Sequence, residues 1–166
     1  IEYAARAGLL DAQVVAAHCV WLDDTDVRLL REHRVAVAHN PVSNMILASG
    51  IAPVAALRTA GVAVGLGVDG SSSADSASMW LEARTAMLLG KLKDGAAAST
   101  ARTALEMATV GGAACLGRHG ELAAPQHALE AAIAEARRRG YLGEDVLGEG
   151  FGFEVGIAPE LAALGD

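Results

Sequence analysis

The sequence contains little cysteine, few aromatic residues and no excess of basic charge. Its two cysteines, Cys19 and Cys115, stand far apart in apolar surroundings, which excludes a disulfide framework and indicates reduced core thiols of a cytosolic protein. Lysine and arginine number 13 against 20 acidic residues, and the net charge of −7 argues against a surface that binds nucleic-acid phosphates. No signal peptide is visible, and no apolar run is long and clean enough to span a bilayer. We therefore expect a cytoplasmic protein without a membrane segment.

The overall composition is typical of a globular protein. Of the 166 residues, 52% are hydrophobic and 20% are charged, which is enough apolar material for one domain with a buried core. The chain starts without methionine, directly in an amphipathic helical pattern over residues 1–10. A fragment begins in this way, and a processed or truncated chain would look the same.

Strand-like and helix-like segments alternate along the first part of the chain. Three apolar runs have strand character: residues 13–20, 35–39 and 62–68. Helical patterns connect and follow them: from Asp23 or Asp24 onward, over 53–60, over 75–92 and over 100–116. Residues 40–50 contain Pro, Ser, Asn and Gly, and they predict a loop. Short connections between alternating strands and helices predict an α/β fold with a parallel sheet.

Each of the three predicted strands ends at a polar side chain: His18, His39 and Asp69. Singly, each has an ordinary explanation; a histidine there is most often a satisfied core residue, and Asp69 could accept N–H groups from Ser71 to Ser73 in a turn. Together they indicate a functional site, since functional groups gather at the carboxyl ends of parallel strands. Histidine and aspartate suit zinc or ferrous iron, so Asp69 is a candidate metal ligand or general base.

Four segments resemble the C-terminal barrel half of the amidohydrolase superfamily: 17-AHCVWLDD-24, 38-AHNPVSNMILASGIAPV-54, 65-GLGVDGSSSADS-76 and 102-RTALEMATVGGAACLGR-118. The branch they resemble contains deaminases of 8-oxoguanine, guanine and methylthioadenosine/S-adenosylhomocysteine, together with triazine hydrolases. That family has a metal-dependent (β/α)8 barrel beside a small β-sandwich. The resemblance implies a partial TIM barrel over residues 1–122, containing strands six to eight and the helices that follow them.

The resemblance also implies roles for individual residues. Asp69 would be a metal ligand and the base that takes the proton of the attacking water, and His18 would stabilise charge developing on the reacting group. His39, Asn44 and Trp21 would contact the substrate. The implied reaction is the hydrolytic deamination of an aminopurine or related heterocycle, as in 8-oxoguanine deaminase. The implied cofactor is a divalent metal, with zinc favoured over iron.

The chain departs from the family pattern in its metal ligands. The family needs an H-x-H pair after its first strand and a histidine and a glutamate after its fifth, and no H-x-H occurs in this sequence. Only Asp69 would remain, whereas a catalytic zinc needs about three protein ligands. We therefore expect the chain alone to be inactive. Unpaired edges of a partial barrel predict a homo-oligomer, or pairing with a complementary barrel half.

The last part of the chain, residues 123–166, has a different character. An Ala/Glu/Arg-rich helix is predicted over 127–139, followed by a Gly-rich segment with a weak strand. Residues 128–155 resemble a piece of the flavin- and NADH-binding subunit of NADH-quinone oxidoreductase, without its flavin-binding glycines or cluster cysteines. A fused reading frame or chance similarity would explain this tail. The alternatives to an amidohydrolase fragment are therefore a non-catalytic interaction fragment and a piece of a redox subunit.

Overall fold

The fold is built around a small parallel sheet, seen in a computed structural model that describes residues 1–119, 121 and 138. The strands are β1 (Val15–Ala17), β2 (Ala36–His39) and β3 (Val64–Leu66), in the order β1-β2-β3. Val15 pairs with Ala36, and His39 pairs with Leu66. Since every pair is parallel, the predicted α/β fold with a parallel sheet is confirmed, although each strand is shorter than its apolar run.

Helices connect the strands and follow the last one. Their bounds are α1 (Glu2–Arg6), α2 (Asp24–Glu32), α3 (Pro41–Ile46), α4 (Val54–Thr59), α5 (Met79–Asp94) and α6 (Ala101–Glu106), then a π-helical turn (Met107–Gly111) and α7 (Gly112–Cys115). Within the described residues, no helix is long and apolar enough to cross a membrane.

Side-chain caps set the starts of the longer helices. The Asp23 carboxylate accepts the Asp26 N–H at 2.8 Å, and Asp26 bonds back to the Asp23 amide, which forms a capping box. The Thr100 hydroxyl accepts the Thr103 N–H at 3.1 Å, so the N-cap predicted at Thr100 is confirmed. Ser78 caps α5, which for this reason begins at Met79 instead of residue 75.

The predicted loop over residues 40–50 was wrong in its first half, because residues 41–46 form α3. Proline is tolerated at the first helical position, where its missing N–H would have no partner in the helix. A helix of six residues is marginal by itself. Tertiary contacts, which local turn propensities do not report, decide that this segment is helical.

The core lies where α2, α4 and the π-helical turn pack against the sheet. Its largest fully buried members come from separate elements: Leu30, Val37, Leu57 and Met107. Burying side chains of this size contributes about 1.5–3 kcal/mol each by transfer from water. The core thereby fixes β2 and β3 relative to each other, and with them the polar residues at their carboxyl ends.

The predicted tail falls almost entirely outside the described residues. Apart from Arg138, the residues of this tail lie outside the described part of the chain. This applies to the predicted helix over 127–139, the weak strand, the boundary at residue 122 and the segment 128–155. These remain predictions.

Glycines allow the last helical segment to approach the sheet closely. A Cβ at Gly65 would lie 2.9 Å from the Gly112 Cα, and a Cβ at Gly111 would collide with the Val64 carbonyl oxygen. Gly112 itself has open space where a Cβ would stand. Gly111 therefore has no room for a methyl group, whereas the adjacent Gly112 has room for one.

We expect Gly111→Ala to destabilise the chain by about 1–3 kcal/mol, because the added methyl group overpacks the contact with β3. Gly112→Ala is the matched control, and it should stabilise by up to about 1 kcal/mol, since alanine favours the helix. Urea unfolding measures both. Equal effects of the two substitutions would contradict this packing.

Candidate active site

The carboxyl ends of the three strands bring together the predicted polar residues. His18 follows β1 directly, His39 is the last residue of β2, and Asp69 comes shortly after β3. The three were predicted to share one edge of the sheet, and the parallel strand directions place them there. This edge is the candidate active site.

The backbone at this edge is unusual for non-glycine residues. His18, Cys19 and Asp69 have φ angles of 64°, 47° and 62°, in the left-handed region. Such conformations cost about 1–3 kcal/mol each and persist where surrounding contacts impose them. The His18 amide remains anchored to the sheet, donating to the Ala38 carbonyl at 2.9 Å. Left-handed backbone therefore redirects the chain at His18, directly after β1, and at Asp69, shortly after β3.

Asp69 is surrounded by hydrogen-bond donors. Its Oδ2 accepts the Ser43 hydroxyl at 2.6 Å and the Ser73 hydroxyl at 3.1 Å, and its Oδ1 accepts the Gly70 N–H at 2.8 Å. These bonds lower the pKa of Asp69, with Ser43 contributing most, then Gly70 and Ser73. The carboxyl group is thereby held in its ionised form, ready to accept a proton or to bind a cation.

The donors to Asp69 only partly match the turn expected from the sequence. Ser73 bonds to Asp69 through its hydroxyl group and not through its N–H, the amide donor is Gly70, and neither Ser71 nor Ser72 bonds to Asp69. Ser43 was missed by sequence reasoning. It lies 26 positions away in α3, and no local pattern signals a contact at that separation.

His18 connects Asp69 to a second residue of α3. Its Nε2 lies 3.6 Å from Asp69 Oδ2, and its Nδ1 lies 2.9 Å from the Asn44 side-chain oxygen. With that oxygen accepting, the proton of a neutral ring is assigned to Nδ1, and the Nε2 lone pair faces the carboxylate. A lone pair and a carboxylate oxygen at this separation both attract a proton or a metal ion placed between them.

His39 occupies a different environment from His18 and Asp69. It is only 2% exposed, and its Nδ1 has no hydrogen-bond partner among the described residues. Burial, with a smaller contribution from the nearby His18, lowers the pKa of His39 to about 4. Its side chain borders a cavity of about 320 Å³ beside α4 and α5, and neither His18 nor Asp69 lines that cavity. His39 is therefore neutral at physiological pH.

Of the other predicted contacts, Asn44 reaches the site and Trp21 does not line it. Asn44 is buried, and its side-chain nitrogen lacks a partner among the described residues, so a donor remains free beside His18. The Trp21 side chain is 86% exposed, and it lines a surface depression with Pro53 and Lys93 that does not include Asp69.

The described residues provide part of a metal site. One carboxylate and one imidazole, Asp69 and His18, suit zinc in chemical type. In residues 1–119, 121 and 138, however, no group of three or more His, Cys, Asp or Glu side chains is arranged to hold a metal ion. Two donors fall short of the about three that a catalytic zinc requires, so these residues alone do not fit a complete site.

Comparison with known proteins identifies relatives with a common chemistry. Residues 1–128 match the model of the amidohydrolase family. The chain is 44% identical over 139 residues to a 5'-deoxyadenosine deaminase from Methanothermobacter thermautotrophicus, covering 83% of this chain and 33% of that protein. It is 47% identical over 119 residues to a 5-methylthioadenosine/S-adenosylhomocysteine deaminase from Desulfitobacterium hafniense, covering 72% and 28%. The chain thus spans about a third or less of the length of these relatives.

A solved structure shares the fold of the matched region. An adenosine deaminase from Xanthomonas campestris, with bound zinc, superposes with a TM-score of 0.66 at 38% identity. The superposition covers 71% of this chain and 27% of that one.

Replacing Ser43 by alanine should raise the pKa of Asp69 towards its ordinary value, because the strongest stabilising hydrogen bond is lost. Ser73→Ala should raise it less, since its bond is longer. A ¹³C NMR titration of the aspartate carboxyl groups measures the change. Ser71→Ala is the matched control in the same turn and should have no effect; an equal pKa in all variants would contradict the geometry.

The stability of the chain should fall at acidic pH because of His39. The unfolded chain binds a proton near the ordinary pKa of 6.5, whereas the folded chain resists it down to about 4. Stability is therefore complete above pH 6.5 and declines by about 3 kcal/mol towards pH 4. Urea unfolding at pH 7, 5.5 and 4 should show this decline, and His39→Gln should remove it.

The control for that substitution is His119→Gln, at an exposed histidine. A decline that is the same with and without His39 would show that other groups cause it.

Proposed function

The chain belongs to the amidohydrolase family, and on that premise we propose that it forms the C-terminal part of the barrel of a hydrolytic deaminase acting on aminopurines. The observation that carries this proposal is the pairing of Asp69 with His18 at the ends of two parallel strands, 3.6 Å apart. The deaminases to which the chain is similar support the reaction class.

We propose that β1, β2 and β3 correspond to the sixth, seventh and eighth strands of a (β/α)8 barrel. The parallel order of the sheet and the helix after each strand support this placement, as does the superposition on a zinc-containing deaminase. The outer strands β1 and β3 of this sheet would pair with the remaining strands of the barrel. A complementary barrel half, or a second copy of the chain, is the partner that these edges require.

We propose zinc as the cofactor, with Asp69 as one of its ligands and the other ligands supplied from outside the described residues. A bound zinc lowers the pKa of a coordinated water towards neutrality. The bound zinc of the Xanthomonas campestris protein supports this choice over iron. The donor type at Asp69 and His18 agrees with it as well.

The residues of this chain have separate tasks in the proposed reaction. The oxygen of water bonds to the amino-bearing ring carbon, and the ionised Asp69 accepts a proton that passes to the departing amine, which leaves as ammonia. The Ser43 and Gly70 donors keep Asp69 ionised and fix the direction of its oxygens. His18, held by Asn44, faces the same space, where in its protonated form it can stabilise negative charge.

The substrate is proposed as an aminopurine nucleoside or base. The relatives that deaminate 5'-deoxyadenosine and methylthioadenosine support a 6-aminopurine nucleoside. Deamination of 8-oxoguanine, indicated by the sequence motifs, is the second candidate. Contacts of His39, Trp21 and Asn44 with the substrate are also part of the proposal. The position of Asn44 beside His18 supports its contact, whereas His39 and Trp21 line cavities that do not include Asp69, and their contacts receive less support.

A non-catalytic role is the alternative for the chain in isolation. The observation that favours it is the donor count, since Asp69 is the one zinc ligand proposed among the described residues, and these contain no group of three or more His, Cys, Asp or Glu side chains arranged to hold a metal ion. A role as a redox-subunit piece rests only on residues 128–155, which lie outside the described residues except for Arg138.

A chimeric enzyme tests the proposal. Residues 1–119 of this chain replace the matching segment of the Methanothermobacter thermautotrophicus deaminase, so that the rest of the barrel supplies the remaining ligands. We expect zinc-dependent release of ammonia from 5'-deoxyadenosine or methylthioadenosine, and we expect Asp69→Asn to reduce kcat by about a thousandfold or more. The unmodified relative is the positive control, and the 166-residue chain alone should release none.

Two outcomes would overturn the proposal. A chimera that folds and binds zinc but deaminates none of these substrates, nor guanine or 8-oxoguanine, would remove the assignment of the reaction. Full activity of Asp69→Asn in the chimera would remove the role of Asp69.

A further inference from the structure

Glu82 is a buried carboxylate that the proposed reaction does not use. It lies in the first turn of α5 and is only 1% exposed. A carboxylate removed from water is costly unless hydrogen bonds or charges compensate it. Its Oε2 accepts the backbone N–H of Val42 at 3.2 Å, across a separation of 40 residues. Burial raises the pKa of Glu82, which shows that its environment compensates the charge only in part.

The amide that Glu82 contacts belongs to the segment that supports the site. Val42 precedes Ser43 and Asn44 in α3, and these two buried residues hold Asp69 and His18, at 2.6 Å and 2.9 Å. The hydrogen bond from Val42 to Glu82 therefore lies at the residue immediately before Ser43 and Asn44.

Helix α3 has no side-chain cap at its start, and its position depends on contacts with other segments. Its N-cap residue, Asn40, makes no side-chain capping hydrogen bond. A six-residue helix is also too short to be stable by itself. The first-turn N–H groups of a helix lack partners within it, and Glu82 satisfies the one at Val42.

We propose that Glu82 is a positioning residue of the active site, which holds the first turn of α3 so that Ser43 and Asn44 reach Asp69 and His18. The inference rests on the proposed function for what the site does, but the link itself concerns only the geometry of this chain. Glu82 acts through α3 and does not touch the reacting atoms.

A purely electrostatic role is the competing explanation. Asp69 and Glu82 are both acidic, and the negative charge of Asp69 contributes to the raised pKa of Glu82. If that repulsion were the function of Glu82, loss of its charge would disturb the site. If the hydrogen bond to Val42 is the function, loss of the acceptor would disturb the site and loss of the charge alone would not.

Two neutral variants of similar length separate these explanations. Glu82→Gln keeps an oxygen that can accept the Val42 N–H, whereas Glu82→Met has no such acceptor and can fold with an apolar side chain in the same space. The control is Thr100→Ala, which removes the α6 cap at a similar cost in stability but lies outside the site.

Two measurements on the intact chain report the position of α3. The ring ¹⁵N signals of His18, in a sample labelled at histidine, depend on its hydrogen bond to Asn44. Amide hydrogen exchange over residues 42–46 reports the stability of α3 directly. Neither requires turnover, so a failed deaminase assay leaves this test unaffected.

We expect Glu82→Gln to match the parent chain in both measurements. Glu82→Met should shift the His18 signals and accelerate amide exchange in residues 42–46 by about tenfold, the effect of losing a hydrogen bond to a charged group. Thr100→Ala should leave both unchanged. If Glu82→Met does not fold, Glu82→Asp replaces it, since its shorter side chain cannot reach Val42.

Three results would each overturn the proposal. Unchanged His18 signals in the variant without the acceptor would show that α3 does not depend on Glu82. Equal shifts in the glutamine and methionine variants would assign the effect to charge. A similar shift in Thr100→Ala, at an equal loss in melting temperature, would show general destabilisation.

Discussion

The hydrogen bond between Ser43 and Asp69 joins two segments directly, the helix after β2 and the turn after β3. At 2.6 Å it is the shortest side-chain contact at the site, and it contributes most to the lowered pKa of Asp69. The neighbouring residue of the same helix, Asn44, orients His18. The position of α3 therefore affects both the pKa of the carboxylate and the direction of the imidazole. This contact thus connects the turn after β3 to helix α3 at the edge of the sheet.

Burial and hydrogen bonding set different charge states for the polar groups around this contact. Asp69 is ionised because it is partly open to water and receives three hydrogen bonds. His39, within the same strand-end cluster, is neutral because burial excludes its protonated form. Glu82 lies between these cases, buried but bonded to one backbone amide. The pKa of each group is lowered, and the same sheet edge thus contains an ionised carboxylate stabilised by hydrogen bonds and a histidine kept neutral by burial.

The parallel sheet and two members of the site could be predicted from local patterns. Apolar runs that end in His18 and Asp69 indicate strands with functional side chains at their carboxyl ends, and the structure places these two residues 3.6 Å apart. The N-cap at Thr100 was predictable for the same reason, since the Thr103 amide it binds is close in sequence. The helix over residues 41–46 was not predictable, because proline, serine and asparagine within it are typical of loops.

The residues missed by sequence reasoning have in common a partner far along the chain. Ser43 lies 26 residues from Asp69, and Glu82 lies 40 residues from Val42, so no spacing rule connects them. The sequence by itself determined the element types, the chemical nature of the strand-end side chains and the family to which the chain belongs. Only the tertiary structure decided which serine bonds to Asp69, which histidine stays neutral and which carboxylate accepts the Val42 N–H of α3. Periodicity and propensity act over a few residues, whereas hydrogen bonding and burial depend on which segments meet in space.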